Sequence, residues 1–253
     1  MTAPQHGHVD YVLGLADDAL VSAQRMGWWI SRAPQLEEDV ALANIGLDQL
    51  GQARTLLTYA GALEGAGRTE DDLAYLRDDR EFRNVWLVER PQTDFAVTIA
   101  RLLVFATYQA ELYAALASSG DATLAGVAGK AVKEVAYHLD HAHQWVLRLG
   151  DGTDESHARM QAGLDAEWAY VEELFDPAYV DPALVADGLA VDPATLRPAF
   201  DDRVATVLGQ ATLTVPTTPA APGGGRRGEH TDAMAPLLAD LQGLAREHPG
   251  ATW

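Results

Sequence analysis

Apolar residues recur at every third and fourth position over several long stretches of this chain. The two-residue alternation of β-strands is essentially absent, so the polypeptide is restricted to packed helices. Val9, Val12, Ala16, Ala19, Ala23 and Ile30 mark one face of a first helix that ends near Trp28, Trp29 and Pro34. From Leu36, the residues Val40, Ala43, Leu47, Leu50 and Leu57 line one side of a second helix, and Leu42, Ile45 and Leu56 line the other. A helix apolar on all sides is expected at the centre of a fold. Residues 61–72 close it, and a partly helical piece runs to Glu89 before Pro91.

Phe95, Ile99, Leu102, Ala106, Tyr113 and Leu116 trace a third long helix, with Val97, Val104 and Leu112 on its other side. After a turn at Ser118–Asp121, Val132, Val135, Leu139, Val146 and Leu149 trace a fourth, stopped at Gly150-Asp151-Gly152. Met160, Leu164, Trp168, Val171 and Phe175 form a fifth, and shorter helices follow near 193–208 and 232–247. The pattern predicts an all-α, ferritin-like four-helix bundle with additional C-terminal helices. A chain of 253 residues with 48% hydrophobic content suffices for one domain, 1–253. Within it, residues 215–228, rich in Pro and Gly, read as an extended arm and 229–253 as a C-terminal docking helix.

A net charge of −19 repels phosphate backbones and anionic lipid, which argues against nucleic acid and membranes as partners. No cysteine is present, which excludes disulfides, iron–sulfur ligation and thiol nucleophiles. Any metal would need carboxylate or imidazole ligands. The first ten residues lack a secretion signal and no uninterrupted apolar run approaches a membrane span, so a soluble, cytoplasmic protein is expected. Nucleophile elbows, phosphate-binding loops after a strand and dinucleotide fingerprints are absent.

Ferritin-like di-iron proteins draw one Glu from each of two helices and a Glu-x-x-His pair from each of the other two, because positions i and i+3 share a helix face. No Glu here has His three positions later; only Asp140 with His143 and Asp154 with His157 show that spacing. Asp48 stands where a ligand could project, but its i+3 neighbour is Gly51. Glu134, His138 and His141 line one row of the fourth helix, and Glu111 lies among apolar residues of the third. Three readings of Asp48, Glu111, Glu134 and His138 stand side by side. They form a solvated helix face with an i, i+4 contact, a vestigial cluster whose members bond one another without metal, or a working di-iron centre short of ligands. His143 falls within the apolar stripe and reads as a neutral core histidine. Arg54 lies in the second helix's apolar stripe and calls for a carboxylate, such as Asp48 or Glu111, or for cover by another chain. Arg226 and Arg227, after three glycines, could hold a coenzyme A phosphate or a partner, or belong to a solvated arm. The six tryptophans, Trp28, Trp29, Trp86, Trp145, Trp168 and Trp253, suit an interface as well as a core.

The segment EEDVALANIGLDQLGQART at Glu37–Thr55 resembles the second helix of the PaaC family of phenylacetate-CoA oxygenase subunits. The likeness continues in REFRNVWLVERPQTDFAVTIARL from Arg80, in KAVKEVAYHLDHAHQWVLRLGDGTDES from Lys130, in EELFD at Glu172 and in GGGRRGEHT at Gly223. It spans nearly the whole chain; the extra histidines near 140–143 depart from it and leave room for adventitious metal. The resemblance implies a ferritin-like, non-catalytic structural subunit of a heteromeric monooxygenase complex that converts phenylacetyl-CoA to its ring 1,2-epoxide in phenylacetate catabolism. It implies no catalytic and no metal residue in this chain. The di-iron centre would lie on a homologous catalytic oxygenase subunit, with further small subunits and an NADPH-dependent reductase carrying FAD and an iron–sulfur cluster. Two alternatives remain open: a divergent di-iron carboxylate oxygenase active in its own right, and a storage or adaptor protein working alone.

Overall fold

The computed structural model describes residues 3–251. Ten α-helices and no strand occur among the described residues: α1 (Ala3–Gly27), α2 (Leu36–Glu64), α3 (Glu70–Tyr75), α4 (Trp86–Glu89), α5 (Phe95–Leu116), α6 (Ala122–Gly150), α7 (Asp154–Trp168), α8 (Pro182–Ala186), α9 (Arg197–Gln210) and α10 (Met234–Glu247). Where length and composition suggest one domain, the chain groups into two compact units. The first comprises Met1–Pro91, Tyr179–Leu184 and Gly224–Trp253, the second Gln92–Ala178 and Val185–Gly223. Each is built on one long antiparallel helix pair, the element from which ferritin-like bundles are made.

In the first unit, α1 and α2 form a hairpin: the His8 ring meets Tyr59 edge-on at 6.0 Å, and Met26 lies against Gly46. Leu42, Ile45, Leu56 and Leu57 of α2 are buried, whereas Leu36, Val40, Leu47 and Leu50 are exposed. This corrects the expectation of an enclosed central helix: one apolar face is buried and the other lies open. Arg54 is likewise not buried with Asp48 or Glu111; it sits at the surface, 3.3 Å from Glu70 of α3. The piece between α2 and α5 is partly helical, as its composition suggests. Thr69 starts α3 through a capping box with Asp72, its hydroxyl accepting from the Asp72 amide at 3.1 Å.

In the second unit, α5 and α6 run antiparallel, with Phe95 edge-on to Trp145 at 4.8 Å. Asp94 caps α5 by accepting from the Ala96 amide at 2.7 Å, and Asp121 caps α6 by accepting from Thr123 and Leu124. Helix α5 is long and apolar enough to cross a membrane, but 78% of its most apolar window is buried inside the protein. That burial marks a core helix. The fifth helix expected through Phe175 stops at Trp168 and resumes as a 3₁₀ turn at Glu172–Phe175. The break turns Phe175 edge-on to Tyr108 at 5.7 Å and toward Phe200 of α9 at 5.0 Å, so α5 and α9 share one aromatic cluster.

Phe200 is fully buried in that cluster. Phe200→Ala is expected to lower stability by about 3–5 kcal/mol, because both the transfer and the cavity contributions apply. Urea unfolding followed by far-ultraviolet circular dichroism measures it.

Candidate functional site: carboxylates already held by cations

The residues nearest to a metal pattern are dispersed. Asp48 belongs to the first unit, half-buried on α2, whereas Glu111, Glu134 and His138 belong to the second. Neither unit by itself brings the four together. Glu111 of α5 is ion-paired with Arg203 of α9, and Glu134 pairs with Lys130 one turn earlier at 3.0 Å. His138 is fully buried, and the rings of His138 and His141 pack against Tyr137 at 6.4 and 6.2 Å. Among the described residues, no group of three or more His, Asp or Glu side chains is placed to hold a metal ion. A di-iron centre does not fit this donor set, because no Glu-x-x-His pair sets an imidazole beside a carboxylate and no such group converges among the described residues. His143 is half-buried, and burial pushes its pKa below the usual histidine value, opposed by the charge of Asp140.

The densest buried polar network lies elsewhere, in the first unit, at positions that the sequence reading did not single out. Asp17 and Asp18, adjacent in α1, are both buried. Asp17 takes two hydrogen bonds from the buried guanidinium of Arg77, one at 2.9 Å, and another from the Arg83 amide at 2.8 Å. Asp18 accepts from the Val85 amide at 2.9 Å and from Arg226 at 2.6 Å. Arg226 also donates to the carbonyls of Gly14 and Arg83, at 2.8 and 2.9 Å, and its guanidinium lies 4.5 Å from the Tyr179 ring centroid. The residue considered for coenzyme A is thus turned inward, and of the pair only Arg227 stays exposed. The glycines around it answer to backbone contact rather than to phosphate. A Cβ at Gly225 would lie 2.0 Å from the Asn84 carbonyl oxygen, and one at Gly228 would lie 2.2 Å from that of Arg80.

The same arm continues into a second knot. The Trp86 indole donates to the Glu229 carbonyl at 2.6 Å, while buried Glu89 accepts from Asn84 at 3.0 Å, from the Thr231 amide at 2.6 Å and from His230 at 2.7 Å. Burial alone would lower the His230 pKa. The hydrogen bond and charge of Glu89, the Phe82 carbonyl and the charge of Asp17 overcome it and hold the imidazole above its usual value. In the second unit, Arg101 of α5 meets Glu167 of α7 in a buried pair at 2.9 Å. What this arrangement can do chemically is hold segments of chain together. It sets no nucleophile beside a base and opens no charged group to a substrate.

Two outcomes follow for the arm. Asp18→Ala strands the Arg226 charge and is expected to cost about 3–5 kcal/mol in chemical denaturation, the range for breaking one half of a buried pair. A raised folded pKa means that His230 stabilises fully below the unfolded value of about 6.5, and that this contribution fades as pH rises through the folded value. His143, with its pKa lowered, acts with the opposite sign, losing its contribution as pH falls. Urea midpoints on either side of neutrality should therefore show His230→Gln losing the part of wild-type stability that depends on mild acidity.

Comparison with known proteins places the chain in a family. The chain is 47% identical over 243 residues, 96% of its length and 98% of the relative's, to a subunit of 1,2-phenylacetyl-CoA epoxidase from Escherichia coli (strain K12). The family model described as "Phenylacetic acid catabolic protein" matches residues 1–253. The all-α chain described above therefore belongs to the phenylacetic acid catabolic protein family.

Proposed function

We propose that this chain is the structural, non-catalytic subunit of a phenylacetyl-CoA epoxidase, the multicomponent di-iron monooxygenase of aerobic phenylacetate catabolism. The observation that carries the proposal is the 47% identity to one subunit of such an enzyme across almost the full length of both chains. The buried carboxylates support it. Asp17, Asp18, Glu89 and Glu167 are each committed to an arginine or a histidine of the same chain, and Glu111 and Glu134 to Arg203 and Lys130. With no Glu-x-x-His pair and no converging donor group among the described residues, the reading as a di-iron oxygenase active on its own is not favoured.

In this reading a homologous catalytic subunit holds the di-iron centre, and a reductase with FAD and an iron–sulfur cluster delivers the two electrons of NADPH. One oxygen atom enters the aromatic ring as the epoxide and the other leaves as water. Further small subunits complete the complex, which works in the cytoplasm. The contribution of this chain is shape: its buried ion pairs hold a rigid helical body against which the catalytic subunit keeps its substrate passage open. The C-terminal arm serves that rigidity from inside the first unit, because Arg226 and His230 face inward.

Elemental analysis of iron, with turnover of phenylacetyl-CoA, tests the reading on the chain alone and on the chain co-expressed with its catalytic partner. Iron and epoxide formation are expected only in the complex. About two irons per chain in the lone protein, the complement of a di-iron bundle, would overturn it.

A further inference from the structure

The exposed face of α2 has a register. Leu36, Val40, Ala43, Leu47, Leu50 and Arg54 follow one another at intervals of four and three residues, the 3.5-residue period of a coiled-coil seam. Glu38, Leu42, Ile45, Gln49, Gln52 and Leu56 repeat the same intervals two positions later, about 160° away around the helix, and all six are buried. One helix thus carries two seams of the same spacing, one of them in use. The unused one is open: Leu36 is 74% exposed and Leu47 63%, and only at Leu57, 2% exposed, does the row enter the core. The open part, from Leu36 to Arg54, spans nineteen residues, roughly 27 Å of helix.

Ile30, also exposed, extends the surface at the end of the α1–α2 hairpin. Beside Leu47 and Leu50 lies a cavity of about 330 Å³, with Leu20, Ile30, Tyr75 and Leu241 in its wall. Single exposed apolar residues are ordinary. Here Leu36, Val40, Leu47 and Leu50 are exposed in one continuous row along a single helix face, the arrangement that marks an interaction site. The charge around it selects the occupant. Glu37 and Asp39 flank the seam at its start and Asp48 lies further along, while the single basic residue of α2, Arg54, is already engaged by Glu70. A second copy would bring another net charge of −19 and the same acidic edge.

We infer that this seam docks a helix of another subunit of the epoxidase, a deduction that rests on the function proposed above. The docking helix presents apolar side chains at seam spacing and basic residues opposite Glu37 and Asp39, and it places one bulky side chain in the cavity beside Leu47.

The test uses the full chain with the other epoxidase subunits and three variants. Leu47→Glu places a charge in the seam, Glu37→Lys reverses its acidic flank, and Leu244→Glu alters an exposed leucine of α10 outside it. Melting of the lone chain is expected to shift by no more than about 2 °C in each, because all three positions face solvent. Affinity for the partner subunit, measured by surface plasmon resonance, is expected to fall about 100-fold or more for Leu47→Glu, as for a central interface residue. For Leu244→Glu it should change less than about threefold. Glu37→Lys should slow association at low salt, with the difference vanishing at high salt. Unchanged binding by Leu47→Glu would refute the seam while leaving the subunit reading intact, since a complex still forms. Failure of the wild-type chain to bind any epoxidase subunit would refute that reading itself. A lone wild-type dimer in light scattering that Leu47→Glu splits into monomers would give the seam to a second copy and overturn the inference.

Discussion

Two adjacent carboxylates, Asp17 and Asp18, sit within an apolar stretch of helix α1, and both are buried. Burying one unpaired carboxylate costs several kcal/mol, so each requires a cation and further hydrogen bonds. Neighbouring residues of a helix project about 100° apart, so no one arginine serves both. Arg77 answers Asp17 from just beyond α3, and Arg226 answers Asp18 from the C-terminal arm, 208 positions away. The backbone amides of Arg83 and Val85 complete the two shells. Much of the irregular chain in the first unit is placed by this demand: the segment before α4 passes α1 because two of its amides are needed there, and the arm returns because its arginine is.

The same principle operates in the second unit, where carboxylates of the long helices are met by arginines. A carboxylate satisfied by an arginine gains a fixed partner. Glu167 lies under Arg101 and Glu111 under Arg203.

The long helices were legible because periodicity is a local signal: α1, α2, α5 and α6 lie where the apolar spacing predicts them, and α6 ends at Gly150, with Asp151 as its cap in place of a left-handed glycine. The break after Trp168 was not legible, because Val171 and Phe175 keep the helical rhythm while the backbone has already tightened into a 3₁₀ turn. The buried ion pairs escaped for another reason. A carboxylate and its arginine lie 60 or 208 positions apart, and one sequence gives no measure of that separation. The two aspartates inside an apolar row did carry the signal that partners must exist, but not which ones. Trp253, counted with the interface tryptophans, lies outside the described residues.

Glycine and arginine in the arm show how a motif can point to the wrong chemistry. Three glycines followed by two arginines read as a phosphate cradle, because small residues free backbone amides and guanidinium groups bind phosphate oxygens. Here Gly225 and Gly228 are small because the carbonyl oxygens of Asn84 and Arg80 occupy the space that a Cβ would need, and Arg226 is turned inward because it pairs with Asp18. Helix α2 shows the converse. Its two apolar rows have the same period, and the sequence states that both must be covered without saying by what. Burial separates them: the row ending at Leu56 is covered by the chain itself, and the row from Leu36 to Leu50 is not. A helix apolar all round in its sequence therefore need not be enclosed by its own chain.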